Sequence, residues 1–201
     1  LDVGCGRGDF LRQMKQLGWT VSGVEPDAAA AELARQSLNA PIFHGTLEDA
    51  PLPESAFDAV CMSHVIEHLS DPLRTLRRCW ELLKPGGKLS VVTPNSQSLA
   101  HRWFRKSWLA LEPPRHLFLF SARSLRRVAE EAGFRVASCT STARTAGDIF
   151  VLSKRIRRRG HTDLQKSKGL GSFVFRTVEE FARVFQPLLG EEIGLLATRP
   201  G

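Results

Sequence analysis

The first ten residues, Leu1-Asp2-Val3-Gly4-Cys5-Gly6-Arg7-Gly8-Asp9-Phe10, constrain this chain more than any other stretch. A short apolar run enters a turn with glycine at three alternate positions, and an amphipathic pattern follows at Phe10, Leu11, Met14 and Leu17. That order predicts a buried strand, a tight loop and a helix. Glycine adopts positive φ freely and lets a ligand reach the backbone, and such a corner is where open α/β sheets hold nucleotides.

The spacing selects among nucleotides. A dinucleotide fingerprint, G-x-G-x-x-G, seats a pyrophosphate on the helix N-terminus and needs its third glycine at position 9. Position 9 is Asp9, whose carboxylate opposes a phosphate. A ligand carrying an amine and a sulfonium without phosphate tolerates that acid, and S-adenosylmethionine is such a ligand. A second strand pattern, Trp19-Thr20-Val21-Ser22-Gly23-Val24-Glu25, ends in an acid twenty-one residues after Gly4. An acid there accepts hydrogen bonds from both ribose hydroxyls; its competing role is to complement the dipole of the next helix. The glycine loop upstream favours the ribose. Asp2, Gly4, Cys5, Gly6, Glu25 and Pro26 are therefore candidate cofactor-binding residues.

Five segments in order, LDVGCGRGDF, VSGVEPD, GTLEDAPLPESAFDAV, CMSHVIEHLSDP and LLKPGGKLSVVTPN, resemble the motifs of class I S-adenosylmethionine-dependent methyltransferases. The stretch His64–Pro72 is similar to the ubiquinone-biosynthesis O-methyltransferase branch. Ser107–Phe120 and Gly190–Thr198 resemble related small-molecule methyltransferases. The resemblance implies a Rossmann-like α/β fold, a seven-stranded, mostly parallel sheet with helices on both faces and the last strand antiparallel. It implies S-adenosyl-L-methionine as cofactor and a small-molecule methyl acceptor. It also places Leu47 against the adenine face and Glu48, with Asp49 as the alternative, near the exocyclic amine. Ser63, closing the fourth strand, completes the cofactor set.

Methyl transfer is an in-line displacement at a carbon already activated by the sulfonium, so much of the catalysis is positioning at about 3–3.5 Å. A hydroxyl acceptor also gains from losing its proton, a task suited to histidine at neutral pH. His64, just past the fourth strand, is the first candidate for base or acceptor-orienting group, with Glu67 beside it and His116 after a double proline as a second site residue or a structural histidine bound to a loop carbonyl. His64, Glu67 and His68 could ligate a cation, but the resembling enzymes carry an acid where His64 stands and Mg²⁺ prefers oxygen ligands. No metal is therefore assigned, and Glu67 is expected to pair with an arginine. The tetrapeptides DPP[YF] and NPP[YF] of amino-methylating enzymes are missing after this strand, which favours an oxygen acceptor, with carbon as an alternative.

Strand patterns at 1–4, 20–25, 41–44, 57–62, 88–93, 134–141 and 192–198 alternate with helix patterns at 9–17, 27–38, 72–83, 121–132 and 173–186. Alternation of this kind implies a parallel sheet. At 201 residues and 42% hydrophobic, residues 1–201 read as a single methyltransferase domain, with 95–120 and 143–175 as substrate-side insertions. The chain starts inside a strand without an initiator Met and is read as lacking its N-terminal part. No apolar run approaches the ~20 residues of a membrane span, and four cysteines without a CxxC pair suit a reducing, cytoplasmic compartment. The net charge of +7 is concentrated in Lys154-Arg155-Ile156-Arg157-Arg158-Arg159 with Lys166 and Lys168. Glycines 160, 169 and 171 suggest a solvated loop there, while apolar flanks suit a peripheral membrane contact through 150–175. Nucleic acid is disfavoured because no stacking motif is present. Three other readings remain: an RNA-binding protein or RNA-directed methyltransferase using 154–168, an NAD-dependent oxidoreductase, and a non-catalytic scaffold that binds no S-adenosylmethionine.

Overall fold

The computed structural model describes residues 1–161 and 170–201; Lys166 and Lys168 lie outside them. Seven strands form one sheet: β1 (Asp2–Val3), β2 (Gly23–Glu25), β3 (Ile42–His44), β4 (Phe57–Ser63), β5 (Leu83–Pro94), β6 (Arg135–Thr142) and β7 (Glu192–Thr198). Their order is β3-β2-β1-β4-β5-β7-β6. β7 runs antiparallel between β5 and β6, and the other pairings are parallel. The expected sheet and its inverted last strand are therefore the observed ones.

The helices are α1 (Asp9–Gln16), α2 (Ala28–Leu38), α3 (Pro72–Leu82), α4 (Leu99–Phe104), α5 (Ala122–Glu131), α6 (Ala146–Arg159) and α7 (Leu170–Phe185). Their starts follow from side-chain caps. Asp27 accepts the Ala30 amide, Asp71 accepts that of Arg74 ahead of Pro72, and Ser121 forms a capping box with Ser124. Leu11, Val21, Ala31, Ala34, Leu38 and Ile42 make one apolar core under α1 and α2. A larger one, with Val60, Met62, Leu76, Leu89, Leu125 and Ile193 at its centre, lies under α3 and α5. A third cluster joins Ala100, Phe104, Trp108, Ala143, Ala146 and Phe175. Segments 95–120, 143–161 and 170–191 thus pack on each other beyond the carboxyl edge of the sheet.

Two helices go beyond the sequence expectation. α4 is short and opens on Ser98, whose hydroxyl accepts the His101 amide. α6 turns the basic run into helix where a loop was expected. Gly160 does not interrupt it but ends it, as a left-handed C-cap with φ of 79°. Arg157, Arg158 and Arg159 then occupy the last turn, where the helix dipole favours cations.

Candidate active site

β1 stops at Val3, and the chain turns sharply at Gly4. Its φ of +72° is left-handed, and a Cβ there would lie 2.4 Å from Val65 Cγ2, so no side chain fits. At Gly6, with φ of +55°, an added Cβ would meet nothing within 4 Å, which leaves the backbone open to a ligand. Glu25, at the end of β2, fastens this turn. Its Oε2 accepts the Gly6 amide at 2.7 Å and its Oε1 accepts the Asp27 amide at 2.9 Å. A carboxylate has about four lone-pair sites, so two remain for donors of a ligand.

A cleft of about 730 Å³ opens beside the turn. Of the expected cofactor residues, Gly4, Glu25, Pro26, Leu47 and Glu48 line it, with His64 on its wall. Asp2, Cys5, Gly6 and Ser63 are not among the lining residues. Asp2 is buried in β1, where burial, reinforced by Glu25, pushes its carboxyl up to about 7. The Cys5 side chain packs into the core under α1 and α2, and burial pushes its thiol up to about 12. Leu47 is 3% exposed, and Glu48 accepts the Thr75 hydroxyl at 2.5 Å.

His64 follows β4 directly, with a left-handed φ of 56°. Non-glycine residues take that conformation at a cost, and it concentrates at functional positions. The ring sits between two acids: Nε2 is 3.0 Å from Glu192 Oε1, and Nδ1 is 3.4 Å from Glu67 Oε1. Hydrogen bonding to Glu192, then to Glu67, raises its pKa to about 9. Glu67 is 1% exposed. Burial pushes its carboxyl up, but hydrogen bonds from His64, the backbone and Thr93 outweigh this and hold it below its ordinary value. Its Oε2 accepts the Thr93 hydroxyl at 2.9 Å. The expected arginine partner of Glu67 is therefore replaced by Thr93 and His64, because β5 carries Thr93 under the turn.

His116 lies elsewhere. Its Nδ1 donates to the Ala110 carbonyl at 2.7 Å, and its ring stands edge-on to His68 at 4.7 Å. His68 Nδ1 donates in turn to the Arg115 carbonyl at 2.8 Å. Glu67, His68 and His116 bring one ligand atom each within 4.8 Å of one another. The set considered from sequence (His64, Glu67, His68) thus exchanges His64 for His116. Glu192 was missed as a site residue. Its signal was present, since Glu191-Glu192 opens a strand that is otherwise apolar, and strand parity sends the two acids to opposite faces.

The glycine turn, the acid closing β2 and the histidine past β4 thus meet at one cleft. The family model described as "Methyltransferase domain" matches residues 1–138. The chain belongs to that family, in the S-adenosylmethionine-dependent class that its motifs resemble. The chain is 32% identical over 148 residues to a probable S-adenosylmethionine-dependent methyltransferase of Mycolicibacterium smegmatis, covering 73% of this chain and 56% of that one. It is 40% identical over 102 residues to the ubiquinone biosynthesis O-methyltransferase of Caulobacter vibrioides, covering 47% and 40%. The chain spans about half the length of the curated relatives it matches. Among solved structures, an S-adenosylmethionine-dependent methyltransferase from Archaeoglobus fulgidus matches with a TM-score of 0.64 at 22% identity, over 98% of this chain and 84% of that one. At such identity the likeness speaks for the fold alone. The oxidoreductase alternative falls with the family.

Proposed function

We propose that this chain transfers the methyl group of S-adenosylmethionine to an oxygen of a small organic acceptor of quinol or lipid-like type, with carbon as the alternative acceptor atom. The cofactor supplies an electrophilic methyl carbon. Glu25 holds the ribose, the turn at Gly4 borders the body of the cofactor, and Leu47 and Glu48 flank the adenine. When bound, the cofactor would give its methyl to the acceptor oxygen as the carbon–sulfur bond breaks, with the hydroxyl proton passing to solvent near pH 7 and to neutral His64 only at alkaline pH.

The observation that carries the choice of oxygen is the clamp on His64. With its pKa raised to about 9, the ring is cationic near pH 7, and about one molecule in a hundred is neutral there. A histidine in that state first draws a hydroxyl or its oxyanion toward the methyl carbon, and acts as a base only at alkaline pH. The contact to Glu67 is the longer of the two, 3.4 Å against 3.0 Å, so an acceptor hydroxyl or oxyanion competes with Glu67 for the Nδ1 proton while Glu192 keeps the other nitrogen. Incubation with methyl-labelled cofactor and a panel of phenols, quinols and amines tests the reading. Labelled methyl ethers support it; labelled amines, or no transfer to any hydroxyl, overturn it. The ubiquinone biosynthesis O-methyltransferase relative supports the same acceptor class.

A further inference from the structure

Helix α7 is arranged back to front for a helix that meets water. Its covered side carries Phe175 and Glu179, the latter 0% exposed with neither carboxylate oxygen hydrogen-bonded. Its open side carries Phe173, Val174, Val178, Phe181, Val184 and Phe185, each between 49% and 73% exposed. Val174, Val178, Phe181 and Phe185 recur at the spacing of a single helix face. Burial, with Glu191 beside it, pushes the Glu179 carboxyl up to about 9 against the pull of Arg183, so the helix hides a neutral acid and displays its aromatics. Single exposed apolar residues are ordinary; a continuous face of them marks an interaction surface.

Charge identifies what that surface meets. Lys154, Arg155, Arg158 and Arg159 of α6 line one cleft with Phe150 and with Gly171 and Ser172 of α7, so cations gather at the end where the apolar face begins. Arg157 instead donates to the Trp103 carbonyl and lies 4.9 Å over the Phe104 ring, bracing Trp103, which is 61% exposed. A nucleic acid would match the cations and leave Val174, Val178 and Val184, which have no π face to stack on, in water. A second copy would match the apolar face but offer no anions to Lys154, Arg158 and Arg159. An anionic bilayer satisfies both, because apolar side chains enter the headgroup boundary while Lys and Arg meet phosphates.

We propose that the α6–α7 hairpin docks this chain on an anionic phospholipid surface, with the Phe173–Phe185 face inserted and the α6 cations on lipid phosphates. The α6–α7 segment follows β6, which ends at Thr142, and precedes β7, which starts at Glu192, the partner of His64, so the docked segment is joined directly to the strand that carries Glu192. The proposal stands independently of which acceptor is methylated.

Co-sedimentation of the full chain with phosphatidylcholine vesicles, with and without phosphatidylglycerol, tests it. Binding is expected only with phosphatidylglycerol and weakens with salt. Phe181→Ser with Phe185→Ser, and separately Lys154→Glu with Arg158→Glu, each lower the bound fraction by about tenfold or more, while circular dichroism shows the folded chain. Equal binding to neutral vesicles, no binding, or binding indifferent to either pair overturns the proposal. So does a dimer in ultracentrifugation that the Phe pair dissociates, or retention on RNA that only the charge-reversed pair abolishes.

Discussion

Replacing Glu25 with glutamine separates the two things its carboxylate does. In the folded chain it accepts the Gly6 and Asp27 amides at 2.7 and 2.9 Å, and in the proposed complex its spare lone pairs take two ribose hydroxyls. The amide keeps one acceptor oxygen and turns an NH₂ donor toward a backbone N–H. Hydrogen bonds to charged groups are worth about 1.5–3 kcal/mol. Glu25→Gln is therefore expected to weaken S-adenosylmethionine binding by about 2–3 kcal/mol, or about 30–150-fold in Kd. Calorimetry with the cofactor and with its 2′,3′-dideoxy analogue distinguishes ribose recognition from a loosened turn. A loosened turn weakens both ligands alike, whereas lost ribose bonds weaken only the ligand that has hydroxyls. The expected result is a cycle in which Glu25→Gln weakens the natural cofactor by clearly more than it weakens the analogue, the analogue's loss giving the share of the loosened turn. Losses that simply add, or a variant that binds the natural cofactor like wild type, would refute the ribose assignment.

Three further expectations follow from the same geometry. Gly4→Ala places a Cβ 2.4 Å from Val65 Cγ2 at a φ of +72° and should cost about 2–4 kcal/mol in urea unfolding, with Val65→Ala recovering only the steric share. If His64 acts as a base at alkaline pH, kcat/KM climbs through about pH 9 in the wild type; Glu192→Gln should move that inflection downward and His64→Ala should abolish it, and a profile unchanged in both variants removes His64 from the chemistry. Glu179, Glu191 and His64 have folded pKa values raised to about 9, 7 and 9. The native state then binds more protons than the unfolded chain between about pH 4.5 and 9, so stability falls as pH rises through that window. The thermal midpoint should be higher at pH 5 than at pH 8.5, and Glu179→Leu should flatten the slope; a midpoint that rises over this range contradicts the burial argument.

What the sequence made readable is what neighbouring residues decide among themselves. The sign of φ at Gly4, the acid closing β2 and the histidine following β4 are each set within a few residues of a strand end, so pattern alone located the glycine turn, Glu25 and the His64 turn. The α6 helix was not readable in the same way. Its glycines look like breakers until Gly160 is seen to be a C-cap, and its apolar residues find their partner, Phe175, only across the α6–α7 pairing. The chemical state of His64 lies further still from the local pattern. Glu192 is 128 residues away and reaches the ring because β7 is inverted beside β5, in a register that sets Glu192 opposite Pro94. A parallel β7 would bring a different end of that strand to the cleft and leave the imidazole with Glu67 alone. One reversed strand therefore changes the histidine from the neutral base that its ordinary pKa suggests into a cation held between two carboxylates; the family resemblance implied the inversion, but the register that brings Glu192 to the ring is a property of the sheet as a whole.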